Sequence, residues 1–553
     1  MKITPKETTF KPSKTIVPTV PESLECDVVI IGAGPNGLIT AAYLAKAGLK
    51  VVLCERRYEI GGGLATEEIM FPGYYANTHA TYHMMVDYMP VIKDFEMGKL
   101  GLMWIKPNSQ TGIIFKDKKG LLLSKMLGDS VDSLRKFSDK DAEAFERVFR
   151  IYEKIVDEIL APATYWPPVP PIEFTTSMEN TEIGRELAKV SEKSPIEVID
   201  ENFTDSRIKA ILTYMSCMWG IDPTEAGMGF MVPLLVVRGL NKCICYGGSH
   251  KFAGTLSKQV IQNGGLILEN AEVSRVILEN GKAAGVEIFD GRIIKAKVIA
   301  SSLDPHNTFN KLVGKENLPE DLKSSVEKWK WDKWSLFSVH VALNEPPQYA
   351  VDDKQLNGSF VNIIGLESHE DVLSFFGNIM KGEMNKIGGH TTCETLFDPT
   401  LSRMPGKHTA FFQMPAPYNL RGGWENRQDE ITKAALKVWG EYAPNIKDSN
   451  LLMTVSETPL DIERRIASMI KGSIKHGDYN PLQMGYFRPS DTCSVSKTPI
   501  DNLYLCGASM YPGGLIIGGP GYIAANVIID DLGVKKWWKI PDKIKKFVET
   551  YIK

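Results

Sequence analysis

Three side chains that can carry protons lie close together in the segment FPGYYANTHATYHMM, namely His79, Tyr82 and His83. Imidazole transfers protons near neutral pH, although most histidines in proteins pack or hydrogen-bond instead. His79 and His83 also have the i, i+4 spacing of zinc-binding helices. Neither a third ligand nor an HExxH glutamate accompanies them, so no metal site is predicted. We expect all three to line or support a pocket, and we rank them ahead of His250 and His476 as candidate proton carriers.

A strand, a glycine turn and a helix are predicted near the amino terminus. The β-branched run CDVVII is followed by GAGPNG and then by the helical stretch LITAAYLAKAG. In a dinucleotide-binding turn the first glycine permits the bend, the second lets a pyrophosphate approach the backbone, and the third lets the helix pack on the sheet. The predicted cofactor contacts in this turn are Gly32, Ala33, Gly34, Pro35, Asn36 and Gly37.

An acid after the second predicted strand indicates which dinucleotide binds. Lys50 to Cys54 form that strand, and Glu55 follows at the offset of about 20 residues expected for an acid that hydrogen-bonds a ribose 2′-hydroxyl. Its charge would repel a 2′-phosphate, so FAD or NAD is predicted rather than NADP. The GxGxxG pattern alone also fits a glycine-rich turn without a ligand, but the ordered strand, helix, strand and acid favour a nucleotide site.

A second glycine cluster favours FAD over NAD. The segment RRYEIGGGLAT follows Glu55 directly. Glycines after an acid-terminated strand let the backbone pass close to a flavin diphosphate, which a plain NAD site does not require. The predicted contacts in this cluster are Arg56, Gly61, Gly62, Gly63 and Leu64.

The middle of the chain predicts a return to the first sheet. From Tyr246 the sequence has the pattern of a helix, a strand and then short strands separated by NG and DG turns. We expect these strands to join the first sheet, where the backbone at Val273 would meet the adenine. An ordinary hairpin subdomain explains the turns equally well.

A third predicted cofactor segment, NLYLCGASMYPGGLIIGGPGYIAAN, lies near the carboxy terminus. It predicts a strand that ends at Cys506 and Gly507, then a Pro/Gly loop and a helix that opens at residues 518–521. Pro520 at the first helical position fits this placement. Unpaired N–H groups at such a helix start suit the electron-rich pyrimidine side of a flavin. The predicted contacts are Gly507, Ala508, Gly514, Ile516 and Gly521.

Composition excludes several classes of protein. At 553 residues the chain exceeds the usual size of a domain with one hydrophobic core. Its net charge of -3 shows none of the overall basic character typical of nucleic-acid-binding proteins. Eight scattered cysteines predict free thiols in a reducing compartment. Residues 1–24 are polar and Pro/Thr-rich, typical of a flexible arm and not of a signal peptide. The apolar runs are far shorter than the roughly 20 residues of a spanning helix, so we expect a cytoplasmic protein.

The final segment, Lys535 to Lys553, holds seven Lys among Trp, Ile, Phe and Tyr. This composition predicts an interfacial helix on anionic lipid, and so a peripheral location on the inner face of a membrane. A terminal helix packed on the FAD-binding domain explains the segment equally well.

Four sets of motifs together resemble the phytoene-desaturase-like FAD oxidoreductases. They are GAGPNG with Glu55, IGGGLATEE, YGGSHKFAGTL with VIASSLDP, and HGDYNPLQMGYFRP with TPIDNLYLCGASMYPGG. The resemblance implies an α/β fold, with a Rossmann-type FAD-binding domain (GR2-like) and an inserted α+β substrate or cap domain facing the isoalloxazine ring of non-covalent FAD. Many members place Arg where this chain has Gly63, and Arg56 could substitute for it.

Domain boundaries follow from the positions of these motifs. Two segments between these motifs are insertions into the FAD-binding domain. They hold Met and aromatic residues that suit either an ordinary core or an irregular apolar pocket. We expect an FAD-binding domain from residues 25–95, 240–310 and 455–534, a cap from 96–239 and 311–454, and a basic aromatic helix over 535–553.

The expected activity is desaturation or saturation of C–C bonds in a hydrophobic isoprenoid, carotenoid-like or other lipid substrate. The hydride would pass to or from flavin N5, and an external quinone, O2 or other redox carrier would exchange the electrons. A redox-neutral isomerase using reduced FAD and a non-catalytic flavin-stabilised lipid carrier remain alternatives. Cys243 and Cys245 lack the spacing of a disulfide reductase, and no GxSxG motif supports a serine hydrolase.

Overall fold

The structure is a computed structural model that describes residues 23–552. The predicted arm over residues 1–24 lies almost wholly outside the described residues. The strands are β1 Ser23–Ile31, β2 Val51–Cys54, β3 Thr66–Glu67, β4 Ala76–Asn77, β5 Trp104–Ile105, β6 Ser109–Ile114, β7 Gly120–Ser124, β8 Ile244–Cys245, β9 Leu266–Leu268, β10 Val273–Glu279, β11 Lys282–Ile288, β12 Ile293–Ser301, β13 Ser335–Leu343, β14 Val361–Ile364, β15 Gly389–Thr392, β16 His408–Ala416, β17 Leu451–Glu457 and β18 Leu503–Leu505.

Helices are concentrated in the first insertion, where α3 to α10 follow one another. The α-helices are α1 Pro35–Lys46, α2 Pro90–Asp94, α3 Leu127–Arg135, α4 Asp139–Ile155, α5 Ala161–Ala163, α6 Pro171–Met178, α7 Glu182–Ser191, α8 Pro195–Asn202, α9 Ser206–Cys217, α10 Met231–Gly239, α11 His250–Gln262, α12 Glu320–Glu327, α13 His369–Met380, α14 Trp424–Tyr442, α15 Pro459–Arg465, α16 Gly519–Asp531 and α17 Asp542–Tyr551.

The first sheet is parallel at its centre. Strands β18, β12, β1, β2 and β9 lie side by side in parallel, and β10 and β11 extend the sheet as an antiparallel hairpin beside β12. The predicted return of the middle segment to this sheet is confirmed. Residues 28–31 of β1 are apolar without alternation because both faces of the strand are covered there. Val28 and Ile30 belong to the core on the side of α1, α11 and α16, and Val29 and Ile31 belong to the core on the other side.

The second sheet forms the cap. Its strand order is β17-β13-β16-β15-β14-β6-β7, so both insertions contribute strands to one sheet. The helices of the first insertion pack beside it, with α3 on β7 and α9 against α13. The expected fold class, a Rossmann-type domain with an α+β cap, is confirmed.

The segment after β12 belongs to the first domain. Residues His306–Gly314 form a π-helix that packs on β10. Phe309, Leu312 and Leu322 join the core that contains β1 residues Val29 and Ile31. The predicted boundary at residue 311 therefore cuts through an element of the FAD-binding domain.

The carboxy-terminal segment differs from the prediction. Its helix begins at Asp542, and not at Lys535. Ile544 and Phe547 are buried, and the helix packs against α5 and α6 of the first insertion. Upstream of it, Trp537 stacks on Tyr43 of α1 at 5.6 Å. These apolar side chains pack against the rest of the protein and contact both domains, which favours the alternative of a packed terminal helix, and membrane binding stays a prediction.

All eight cysteines are free and buried, which confirms the predicted thiols. Within residues 23–552, no helix combines the length and the apolar character needed to cross a membrane.

Candidate active site

A large cavity lies between the carboxyl ends of the parallel strands and the cap sheet. At one end it is lined by Glu55 and Val273, at the other by His390 and Phe411 of the cap. The carboxyl edge of an open parallel sheet is where such folds bind nucleotides. One continuous cavity therefore joins the predicted dinucleotide segments to the cap.

Close packing explains two glycines of the first turn. A Cβ atom on Gly37 would lie 2.1 Å from the carbonyl oxygen of Gly32, so only glycine lets α1 start this close to the turn. Gly32 has φ +90°, and a Cβ atom there would lie 2.5 Å from Ser302 Oγ. The Ser302 hydroxyl in turn donates to the carbonyl oxygens of Ile31 at 2.8 Å and Gly32 at 3.0 Å.

Gly34 faces open space in the cavity. A Cβ atom on Gly34 would meet no atom within 4 Å, and the residue lines the cavity wall. Gly62 packs beside it, because a Cβ atom on Gly62 would lie 3.2 Å from Gly34 Cα. The two glycine clusters thus form one cradle whose open side is bare backbone at the start of α1. This arrangement fits a pyrophosphate, which needs backbone N–H groups and close approach.

Glu55 holds the turn from the neighbouring strand. It is 8% exposed and lines the cavity. One carboxylate oxygen accepts the backbone N–H of Ala33 at 2.8 Å, and the other accepts that of Arg57 at 2.9 Å. An ionised carboxylate has about four lone-pair sites, so a ribose hydroxyl can still be accepted.

The carboxy-terminal loop closes the cavity next to the cradle. Ala508, Gly514 and Ile516 line it. Helix α16 begins at Gly519. A Cβ atom on Gly521 would lie 2.5 Å from the Asn36 carbonyl oxygen, so this helix start packs tightly on α1.

The predicted cofactor residues thus divide into two groups. Those that line the cavity are Gly32, Gly34, Pro35, Asn36, Glu55, Arg56, Gly62, Gly63, Val273, Ala508, Gly514 and Ile516. Those that lie outside its lining are Ala33, Gly37, Gly61, Leu64, Gly507 and Gly521.

The three candidate proton carriers are placed differently. His79 and Tyr82 line the cavity. His79 Nε2 and the Tyr82 hydroxyl are buried and have no hydrogen-bond partner among the described residues. His83 lies outside the lining, with Nε2 3.3 Å from Ser249 Oγ and with backbone bridges to Cys243. No helix forms over this segment, so the i, i+4 spacing does not place the two histidines on one helical face.

Burial keeps both histidines neutral. It lowers the pKa of His79 and of His83 to about 4, so neither ring is an imidazolium cation at neutral pH, and each has one ring nitrogen that can accept a proton. Burial also raises the pKa of Tyr82 far above its ordinary value. In residues 23–552, no three His, Cys, Asp or Glu side chains come together in a way that could hold a metal ion.

A buried ion pair fixes the cap to the cofactor loop. Lys475 and Asp332 are paired with both side chains fully buried. The Lys475 ammonium also donates to the backbone carbonyl of Trp219 at 2.6 Å. A Cβ atom on Gly514 would lie 2.9 Å from Lys475 Cα, so the same segment packs against the cavity loop.

Several cavity residues were not predicted as site residues. Most come from the cap strands and from the segment around residue 465, and no local motif marks these, because they are brought together from distant parts of the chain. Two had a signal: Ser302 lies in the motif VIASSLDP, and Trp219 is one of the Met and aromatic residues of the first insertion. The main examples are Trp219, Ser302, Ser338, His390, Phe411, Gln413, Glu457, Arg465 and Met469.

The fold and this cavity define a dinucleotide-binding protein whose cavity extends from the glycine cradle to the cap sheet. Residues 30–96 match the NAD(P)-binding Rossmann-like domain family. A limonene dehydrogenase polypeptide from Castellaniella defragrans is 39% identical over 539 residues, which cover 95% of this chain and 98% of that protein.

Two more distant comparisons agree. Lycopene-forming phytoene desaturase from Pseudescherichia vulneris is 23% identical, over 91% of this chain and 99% of that protein. The crystal structure of an oxidoreductase from Methanosarcina mazei has the same fold, with a TM-score of 0.59 and 19% identity over 91% of this chain and 99% of that one. The chain belongs to the phytoene-desaturase-like family of FAD-dependent oxidoreductases, and its cofactor is FAD.

Proposed function

We propose that this protein removes hydrogen from, or adds it to, C–C bonds of an apolar isoprenoid-type substrate. The observation that carries the proposal is the single cavity shared by the glycine cradle and the cap sheet. Relatives named for limonene, phytoene and, in Homo sapiens, all-trans-retinol support the choice of substrate class.

The cap end of the cavity suits an apolar skeleton. Tyr82 and Trp219 contact each other edge to face at 6.2 Å, and both line the cavity with Phe411. Leu336 and Met469 extend the apolar wall, packed together with neighbouring isoleucines. Such walls exclude water and orient a ligand by shape.

Bound FAD supplies hydride transfer to or from a substrate carbon at flavin N5. The chain holds the substrate against the cofactor and takes or gives the accompanying proton. We propose His79 and Tyr82 for the proton, because each has a buried polar atom without a partner at the cavity wall. The electrons pass to or from an external carrier such as a quinone or O2.

The proposal is tested with anaerobic FAD-loaded protein. Oxidised protein is mixed with limonene and with longer isoprenoids, and the flavin absorbance and the products are followed. Flavin bleaching with a new double bond in the product supports desaturation, and reoxidation of photoreduced flavin by an alkene supports saturation. A saturated hydrocarbon with the limonene skeleton is the control for the photoreduced protein, and it should leave the flavin reduced.

Two other outcomes would replace the proposal. Shifted double bonds in the product, with the flavin still reduced, would indicate a redox-neutral isomerase. One relative, prolycopene isomerase 1 from an Oncidium hybrid cultivar, is named for an isomerisation. Binding without any change in the flavin or the ligand would indicate a carrier.

A further inference from the structure

Four polar side chains form a row across the cap sheet. The strand register places Glu457 opposite Ser338, Ser338 opposite Gln413, and Gln413 opposite His390. The row therefore crosses β17, β13, β16 and β15 in order. All four residues line the cavity. We call them the polar row.

The polar row is set in apolar surroundings. Side chains two positions apart on a strand share one face of the sheet. Two residues before Ser338 is Leu336, and two before Gln413 is Phe411, and both line the cavity. Trp219 also lines the cavity. A ligand that lies against this face of the cap sheet thus meets apolar side chains on either side of the row.

Hydrogen bonds within the row leave donors unused. Gln413 Nε2 donates to Ser338 Oγ at 2.9 Å, and Tyr214 hydrogen-bonds His390 Nδ1 at 2.9 Å. Gln413 keeps a second N–H, and the Ser338 hydroxyl proton has no acceptor among the described residues. The buried Tyr82 hydroxyl at the same cavity also has no partner among them.

The row carries no uncompensated charge. Burial lowers the pKa of His390 to about 3, so its ring is neutral. Glu457 is the one ionised member of the row, since burial opposes its charge but His340 and Arg465 hold its pKa at about 2. Arg465 Nη1 lies 2.6 Å from one Glu457 oxygen, and His340 Nε2 lies 3.2 Å from the other. The unused groups are therefore neutral donors, which can hydrogen-bond a hydroxyl or carbonyl oxygen.

We propose that the polar row binds a hydroxyl or carbonyl oxygen on an otherwise apolar substrate. The protein's substrate is then an oxygen-bearing isoprenoid-type molecule and not a plain hydrocarbon. A hydrocarbon at this end of the cavity would displace water from the free donors and offer them no acceptor, which is unfavourable for buried polar groups. Sites built to hydrogen-bond a substrate oxygen reject analogues that lack it. The inference rests on the proposed function for the choice of an isoprenoid skeleton.

The test is direct binding to the oxidised, FAD-loaded protein without an electron acceptor. Equilibrium dialysis compares limonene with carveol and carvone, which add a hydroxyl and a carbonyl to the same skeleton. We expect the alcohol or the ketone to bind at least about tenfold tighter than limonene, which corresponds to one good hydrogen bond. Limonene binding as tightly as both, or no binding of either oxygenated ligand, would overturn the inference.

Variants of the polar row test whether it causes the preference for oxygen-bearing ligands. Ser338→Ala combined with Gln413→Leu should reduce the preference to about twofold or less, because the free donors are gone. FAD content and thermal stability report whether this variant folds, and Ser338→Ala alone serves if it does not. Gln355→Leu, at an exposed position outside the cavity, is the matched control and should keep the preference.

The two proposals fail in different ways. If the folded Ser338→Ala, Gln413→Leu variant still prefers carveol or carvone over limonene as strongly as the wild type does, the polar row is not the binding site. Because binding is measured without turnover, a missing redox reaction would refute the proposed function and leave this ratio unchanged.

Discussion

The Glu55 carboxylate accepts the backbone N–H of Ala33 at 2.8 Å and so ties the end of β2 to the glycine turn after β1. The residue predicted to contact the ribose therefore also braces the cradle. This double role affects how its variants should be designed.

Glu55→Ala should release FAD more readily than the wild type. It removes a charge-assisted contact of about 1.5–3 kcal/mol, roughly 10- to 150-fold in affinity, and leaves the Ala33 N–H without its partner. Glu55→Gln keeps one acceptor oxygen and should lose less. Flavin content after dialysis measures the effect, with the exposed Glu279→Ala as control. Wild-type flavin retention by Glu55→Ala would refute the ribose assignment.

Gly34→Ala and Gly37→Ala should separate cofactor binding from folding. A methyl group on Gly34 enters open cavity space, so the apoprotein should keep its melting temperature while FAD binding weakens. The same methyl group on Gly37 would lie 2.1 Å from a backbone oxygen, so this variant should lose stability before FAD is added. Thermal unfolding and FAD titration of both apoproteins check this. The prediction is wrong if Gly34→Ala binds FAD normally.

Glu394 should make stability depend on pH. Burial raises its pKa from the ordinary 4.5 to about 8, although Asn77 Nδ2 donates to it at 2.6 Å. The folded state therefore holds a proton that the unfolded state releases, and this contribution is full below pH 4.5 and lost as pH rises towards 8. The slope is at most about 1.4 kcal/mol per pH unit.

The Glu394→Gln variant isolates this effect from the other titrating groups. Relative to the wild type, it should gain stability steadily as pH rises from about 5 to 8, because it has no proton to lose. Urea unfolding at several pH values measures the difference. Parallel curves for the two proteins would contradict the prediction.

Phe547→Ala should destabilise the protein. The ring is 3% exposed and contacts Phe174 of α6 at 6.3 Å. Truncating a buried Phe costs about 3–5 kcal/mol. Lys545→Ala, on the exposed side of the same helix, should change stability little. Equal urea midpoints for the two variants would show that α17 is not anchored as described.

The sequence by itself determined the nucleotide-binding half of this protein. The turn from Gly32 to Gly37, the acid at Glu55 and the loop before α16 are recognisable because each motif is local, and backbone sterics tie residue spacing to conformation over short distances.

Only the tertiary structure decided which cap residues line the cavity. Ser338, Gln413 and His390 share one row because strands distant in sequence pair in a given register, and a shift of one residue would turn each side chain to the other face. The same holds for the last helix, whose basic and apolar composition suits lipid or protein equally. Its apolar side chains are buried because α5 and α6 lie next to it, a contact that no local pattern encodes.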